Sequence, residues 1–218
     1  MPQQTLCEVI RVLLADDHAI LRDGLKAILR EEGFDVVAEA SDGLASIRLC
    51  EEWKPEIAVL DLSMPVLNGI DAGREILKVS PNTKVVLLSM HTEDRYVLAS
   101  LRAGISAYVV KSKAASNLVH AIHEVLRGGI FLCPSISKAV VGAYLAKDDT
   151  PADPLSIRER EVLHSIAEGK NVKEIGGILG ISTKTAESHR ANIMRKLQIH
   201  HVAGLVRYAI RNGVVTAG

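Results

Sequence analysis

At 218 residues, 48% of them hydrophobic, the chain is long enough for two compact domains with packed cores, and no apolar stretch approaches the roughly 18 residues of a membrane span. Its 26 basic and 26 acidic side chains cancel overall but not locally: residues 1–133 carry 14 basic against 18 acidic groups, and residues 155–218 carry 10 against 5. An acidic part followed by a small basic part excludes an indifferent surface and directs the C-terminal part toward an anionic partner.

The start, Met1-Pro2-Gln3-Gln4, lacks the basic and apolar regions of a signal peptide, so a cytoplasmic protein with no membrane partner is expected. Apolar runs then alternate with helical periodicity. Val12 to Ala15 reads as a strand, Ala19 to Glu32 as a helix stopped by Gly33, and Val36 to Ala38 as a second strand before a helix over Leu44–Glu52. Ile57 to Leu60 is the third strand, followed by a helix over Ile70–Val79. Val85 to Leu88 leads to a helix over Asp94–Ala103, and Tyr108 to Val110 to one over Ala115–Arg127. Five strands and five helices in strict alternation predict a five-stranded parallel, doubly wound, flavodoxin-like sheet of order 2-1-3-4-5. Pro134 to Ala146 allows one more helix, and the charged, Pro-interrupted Lys147–Pro154 is a linker. Beyond it the pattern is all helix: Ser156 to Glu168, Val172 to Leu179, a longer helix capped by Ser182 and running to Leu197, and His201 to Asn212. Cys7, Cys50 and Cys133 form no C-x-x-C and read as reduced core thiols.

The strand ends carry the chemistry. Asp16-Asp17 close the first strand, Asp61 the third, Ser89 the fourth and Lys111 the fifth. Alone, each is an ordinary turn residue or solvated charge; together they sit on the rim where ligands of such sheets gather. Clustered carboxylates repel unless a cation shares them, and oxygen ligands with room for water suit Mg²⁺. Asp61 is then a candidate nucleophile toward a phosphoryl group, with Lys111 as ammonium and Ser89 as hydroxyl partner.

The strings Leu14-Ala15-Asp16-Asp17-His18, Leu60-Asp61-Leu62-Ser63-Met64-Pro65, Leu88-Ser89-Met90-His91 and Tyr108-Val109-Val110-Lys111 resemble the receiver domain of two-component response regulators. The resemblance implies that Asp61 accepts phosphate from a sensor histidine kinase. It further implies that Asp16, Asp17, Asp61 and the main-chain carbonyl of Ser63 hold Mg²⁺, that Lys111 pairs with the phosphate, and that Ser89 and Tyr108 form the switch. Ser112 departs from the proline common after the lysine. His18, Arg22 and His91 read as surface or loop residues.

In the basic part, the short helix, the Gly180-Ile181 turn and the long helix have helix-turn-helix dimensions. Ala186, Ile193 and Leu197 would face inward. Lys184, Glu187, Ser188, Ala191 and Arg195 form the opposite stripe, placed to read base edges, with Lys173, Thr185, His189, Asn192 and Lys196 as phosphate contacts. Leu155-Ser156-Ile157-Arg158-Glu159-Arg160-Glu161-Val162-Leu163, Lys173-Glu174-Ile175 and Leu179-Gly180-Ile181-Ser182-Thr183-Lys184-Thr185 are similar to the LuxR/NarL type of four-helix DNA-binding domain. Gly176-Gly177 and Ala186 depart from its pattern. Each glycine costs about 0.5–1 kcal/mol relative to alanine inside a helix, which predicts a loosely held short helix.

The expected organisation is a receiver over 8–130, a linker over 131–154 and a DNA-binding domain over 155–218. The two resemblances together imply a NarL/FixJ-type regulator, not an enzyme, that is phosphorylated with Mg²⁺, forms a homodimer, and then binds promoter DNA. Against a haloacid-type phosphatase stands Ser63, where that mechanism needs a second Asp, and Asp16-Asp17 would repel the phosphate of a flavin. A regulator whose receiver acts without phosphorylation is the alternative.

Overall fold

A computed structural model describes residues 9–133, 154–212 and 214–215. The expected helix over 134–146, most of the linker and Cys7 lie outside these residues. The N-terminal part runs β1 (Arg11–Ala15), α1 (Ala19–Glu31), β2 (Asp35–Ala40), α2 (Gly43–Trp53), β3 (Ile57–Asp61), α3 (Gly69–Val79), β4 (Lys84–Ser89), α4 (Asp94–Arg102), β5 (Ala107–Val110), a 3₁₀ turn (Lys111–Lys113), α5 (Ala114–Leu126) and β6 (Phe131–Leu132). All strand pairs are parallel, in the order β2-β1-β3-β4-β5-β6.

The continuous apolar runs arise because the sheet is covered on both faces. Leu13, Ala58, Leu60, Val85 and Leu87 point to one layer, where Ile70, Ile76, Tyr96 and Val97 meet them. Val12, Leu14, Ile57, Val59 and Val86 point to the other, against Leu25, Leu29, Leu118 and Ile122. Each such aliphatic side chain, fully buried, contributes roughly 1.5–3 kcal/mol.

The sheet has six strands where five were expected. β6 is two residues long, too short to leave a periodic signal, and it pairs Phe131 with Ala107 and Leu132 with Tyr108. Cys133 is buried against the same core, so the receiver fold continues past residue 130. Cys50 and Cys133 are buried free thiols, and burial pushes Cys50 up to about 12.

The C-terminal part consists of α6 (Ile157–Ala167), α7 (Val172–Leu179), α8 (Thr183–Leu197) and α9 (Val202–Arg211). Ser156 with Glu159, and Asn171 with Glu174, form reciprocal capping boxes at α6 and α7, satisfying amide groups that the first turns leave free. Leu163, Ile175, Ala186, Ile193 and Leu205 make the centre of its core, with Leu197 packed at the edge. Gly176 is needed there, because a Cβ at this position would lie 2.8 Å from the Ile181 carbonyl oxygen, whereas Gly177 faces open space.

The two cores touch through the β3–α3 loop. Val66, held at φ 68°, packs against the DNA-binding core, and Asn68 donates its amide to the Val214 carbonyl at 2.8 Å. Arg160 of α6 meets Asp71 of α3 at 2.5 Å, with both side chains buried. Arg74 and the Asn68 amide also donate to Asp71, so the contact is a satisfied polar cluster rather than an isolated charge.

Candidate functional site

β1 and β3 are neighbours in the sheet, and their register sets Ala15 opposite Leu60, so the residues that follow emerge side by side. Ligand atoms of Asp16, Asp17, His18 and Asp61 all lie within 4.8 Å of one another. Lys111, arriving from the end of β5, bridges Asp16 at 2.8 Å and Asp61 at 2.9 Å. Gly69 permits the close fit of the following helix, since a Cβ there would lie 2.1 Å from the Asp61 carbonyl oxygen.

The electrostatics are those of a pocket short of positive charge. Burial raises the Asp61 carboxyl above its ordinary range; Lys111 opposes this, the Asp16 charge adds to it, and a main-chain hydrogen bond from Ser63 works against it. Burial lowers the Lys111 ammonium, but its hydrogen bond to Asp16 and the charge of Asp61 outweigh that and hold it above its ordinary value. One ammonium shared among several carboxylates leaves negative charge uncompensated, and the Oδ2 atom of Asp61 is buried without a hydrogen-bond partner. A hard divalent cation with oxygen ligands fits that atom and that charge.

Ser89, at the end of β4, is fully buried, and its hydroxyl accepts the His91 amide at 2.9 Å. Tyr108 is fully buried, and its hydroxyl donates to the His91 carbonyl at 2.9 Å. Burial raises the Tyr108 phenol, keeping it neutral and able to donate. His91 therefore joins the two expected switch residues through its main chain, and its ring lies 4.8 Å from that of Tyr96.

In the basic domain Ser182 caps α8 through the Thr185 amide. Lys184, Glu187, Ser188, Ala191 and Arg195 are all exposed, while Ala186 and Ile193 are fully buried, as the spacing predicts. Residues 12–123 match the response regulator receiver domain family, and residues 153–209 match the bacterial regulatory proteins of the luxR family. This chain is a response regulator of the LuxR-type family.

Among similar proteins, the transcriptional regulatory protein MctR of Rhizobium johnstonii is 39% identical over 210 residues, spanning 95% of this chain and 96% of MctR. Response regulator UvrY of Escherichia coli is 33% identical, spanning 96% and 97% of the two chains. The solved structure of RcsB from Salmonella enterica serovar Typhimurium, bound to promoter P1flhDC in the presence of phosphomimetic BeF3−, is 29% identical, covers 93% of this chain and 98% of that one, and superposes with a TM-score of 0.59.

Within this response regulator the structure brings together Asp16, Asp17, Asp61 and Lys111 as the sequence predicts, and adds His18, whose Nδ1 lies 2.8 Å from Asp17. Lys173 is exposed in the first turn of α7, and Thr185 shares its hydroxyl with Ser182. His189 and Asn192 are half-buried, and Asn192 accepts from Arg195 at 3.1 Å. Lys196 is exposed, and its ammonium lies 2.6 Å from Glu159 in the cap of α6, an ion pair that joins the two helices. Three residues read from the sequence as surface or loop join the site: His18, His91 through its main chain, and Arg22, whose guanidinium reaches the Asp16 carbonyl. None leaves a periodic or compositional signal. No helix among the described residues is long and apolar enough to cross a membrane.

Proposed function

We propose that this response regulator accepts a phosphoryl group on Asp61 from a sensor histidine kinase and thereby controls its binding to promoter DNA in the cytoplasm. The observation that carries this reading is the convergence of Asp16, Asp17 and Asp61 within 4.8 Å at strand ends, with Lys111 bridging two of them. An Asp61 carboxylate oxygen attacks phosphorus as the bond to the donor imidazole breaks, and that nitrogen recovers a proton. Asp16, Asp17, Asp61 and the Ser63 carbonyl would hold Mg²⁺, which when bound supplies charge neutralisation at the phosphoryl oxygens. Lys111 supplies a fixed ammonium on the same oxygens, and Ser89 becomes a hydrogen-bond donor to them once its contact with His91 is given up.

The acyl phosphate carries about −1.5 to −2 charges in place of the carboxylate's single one, in a site that already carries excess negative charge. Ser89, His91 and Tyr108 are linked in one hydrogen-bond chain, so a move of the serine is felt by the tyrosine and the α4–β5 face. A homodimer formed on that change would set two α8 helices against half-sites about one helical turn apart. The dimers and DNA complexes described for RcsB support this reading.

Labelling with a small phosphodonor tests it. Asp61→Asn should take no label, and retained label removes the assignment. DNA affinity measured with and without beryllofluoride separates a phosphorylation-controlled regulator from one that its receiver controls by other means.

A further inference from the structure

The turn that presents Asp16 and Asp17 is gripped from behind. Arg22, in the second turn of α1, donates Nη1 to the main-chain carbonyl of Asp16 at 2.8 Å and Nε to Oε2 of Glu39, on β2, at 3.2 Å. Lys26, one turn later, pairs with the other oxygen of Glu39. All three side chains are largely shielded from solvent, and the two cations together hold the Glu39 carboxylate below its ordinary range despite burial. From the opposite side the Asp16 amide donates to the Ala40 carbonyl at 3.2 Å, and its Oδ1 accepts from the His18 amide at 2.9 Å.

Both ends of the Asp16 residue are therefore fixed, the N–H by β2 and the C=O by α1. With its carbonyl turned back toward Arg22, the carboxylate is left facing Lys111 and Asp61. A guanidinium suits the task because its planar fork serves two acceptors in set directions, which a single ammonium does not. Glu39 matters equally, since it supplies the anchor on β2 against which the fork is braced and offsets cationic charge near a site that must attract a cation.

We propose that Arg22, braced by Glu39, is a positioning residue for the acidic pocket, setting the directions of the Asp16 and Asp17 carboxylates for a divalent cation. The proposal rests on the phosphoacceptor reading above. Outer partners of metal ligands typically contribute about 10–100-fold in affinity.

Calorimetric titration of the full chain with MgCl₂, without phosphodonor, tests it on the wild type, Arg22→Ala, Arg22→Lys and Glu39→Gln. Arg22→Ala should weaken Mg²⁺ about tenfold, and Arg22→Lys should recover part of the loss. Labelling by acetyl phosphate should need correspondingly more Mg²⁺ for half-saturation, while its rate at saturating Mg²⁺ stays within about twofold of wild type. Should Arg22→Ala not fold, the same comparison on Arg22→Lys and Glu39→Gln decides. Unchanged Mg²⁺ affinity in folded variants overturns the proposal, as does a lower saturated rate with unchanged affinity. A wild-type chain that binds Mg²⁺ without taking label would instead remove the phosphoacceptor reading and leave the positioning role standing on calorimetry.

Discussion

Lys111 serves two carboxylates at once, Asp16 and Asp61, and its position at the end of β5 is what makes the neighbouring strand tips behave as one site. Glu159 has a comparable double duty in the DNA-binding domain, accepting from the Ser156 amide at 2.8 Å and from Lys196 at 2.6 Å. Burial raises its carboxyl, but Lys196 and Ser156 outweigh this and hold it below the ordinary value. Its stabilising effect is thus present above the usual glutamate range and is lost as pH falls through the lower folded value. Glu159→Gln should cost about 1–2 kcal/mol at neutral pH, read by thermal unfolding, and the gap to wild type should close in acid. A pH-independent gap would mean that packing rather than charge is responsible. Lys196 also shows where sequence reasoning ends: helical spacing places it on the flank of α8, but only the fold reveals that Glu159 on the cap of α6 is its neighbour. Lys173, in the first turn of α7, has no comparable side-chain partner among the described residues, and Lys173→Ala should weaken binding to all DNA sequences alike and reduce the salt slope by about one. Changes at Lys184, Glu187 or Ser188 should instead shift preference among sequences; a uniform loss would show that the exposed stripe is not the reading face.

At the level of elements, the alternation of strands and helices was legible because each period and each stop is local. β1, β3, β4 and β5 each hold a largely apolar run that ends in, or is followed at once by, a polar residue, so both strand and rim could be read directly. β6 could not, since two residues in a shallow edge pairing carry no period. The paired glycines of α7 likewise look equivalent in the sequence but differ in space. Gly177 points into the open, so Gly177→Ala should stabilise the domain by about 0.5–1 kcal/mol through the helix preference alone. Gly176→Ala should destabilise it, because the added methyl meets the Ile181 carbonyl at 2.8 Å and backbone must shift to admit it. Thermal melts of the two variants should move in opposite directions, and equal shifts would reject the packing account of the helix-turn-helix corner.

Across the whole molecule, the two domains meet at a buried polar junction that leaves the outward stripe of α8 exposed. Docking therefore restrains where the DNA-binding domain points rather than covering its reading face. Arg160 shares Asp71 with Arg74 and the Asn68 amide, so truncating either side chain of the pair removes a charge-assisted hydrogen bond, which typically costs about 1.5–3 kcal/mol. Arg160→Ala and Asp71→Ala should each loosen the pair of domains, seen as a larger radius of gyration in solution scattering, and the double variant should be far from additive. Additive, small effects would show that the domains are held by the apolar contact alone. Burial lowers the His164 imidazole, on the same helix as Arg160, below its ordinary value despite the acidic Glu168 and Asp71 nearby.

Val66 belongs to the receiver by sequence and to the DNA-binding core by packing. A chimaera that grafts this C-terminal half onto a foreign receiver would leave a vacant notch in its floor and take the Asp71 carboxylate away from Arg160, so a working transplant must carry the segment from Val66 to Asp71 along with it.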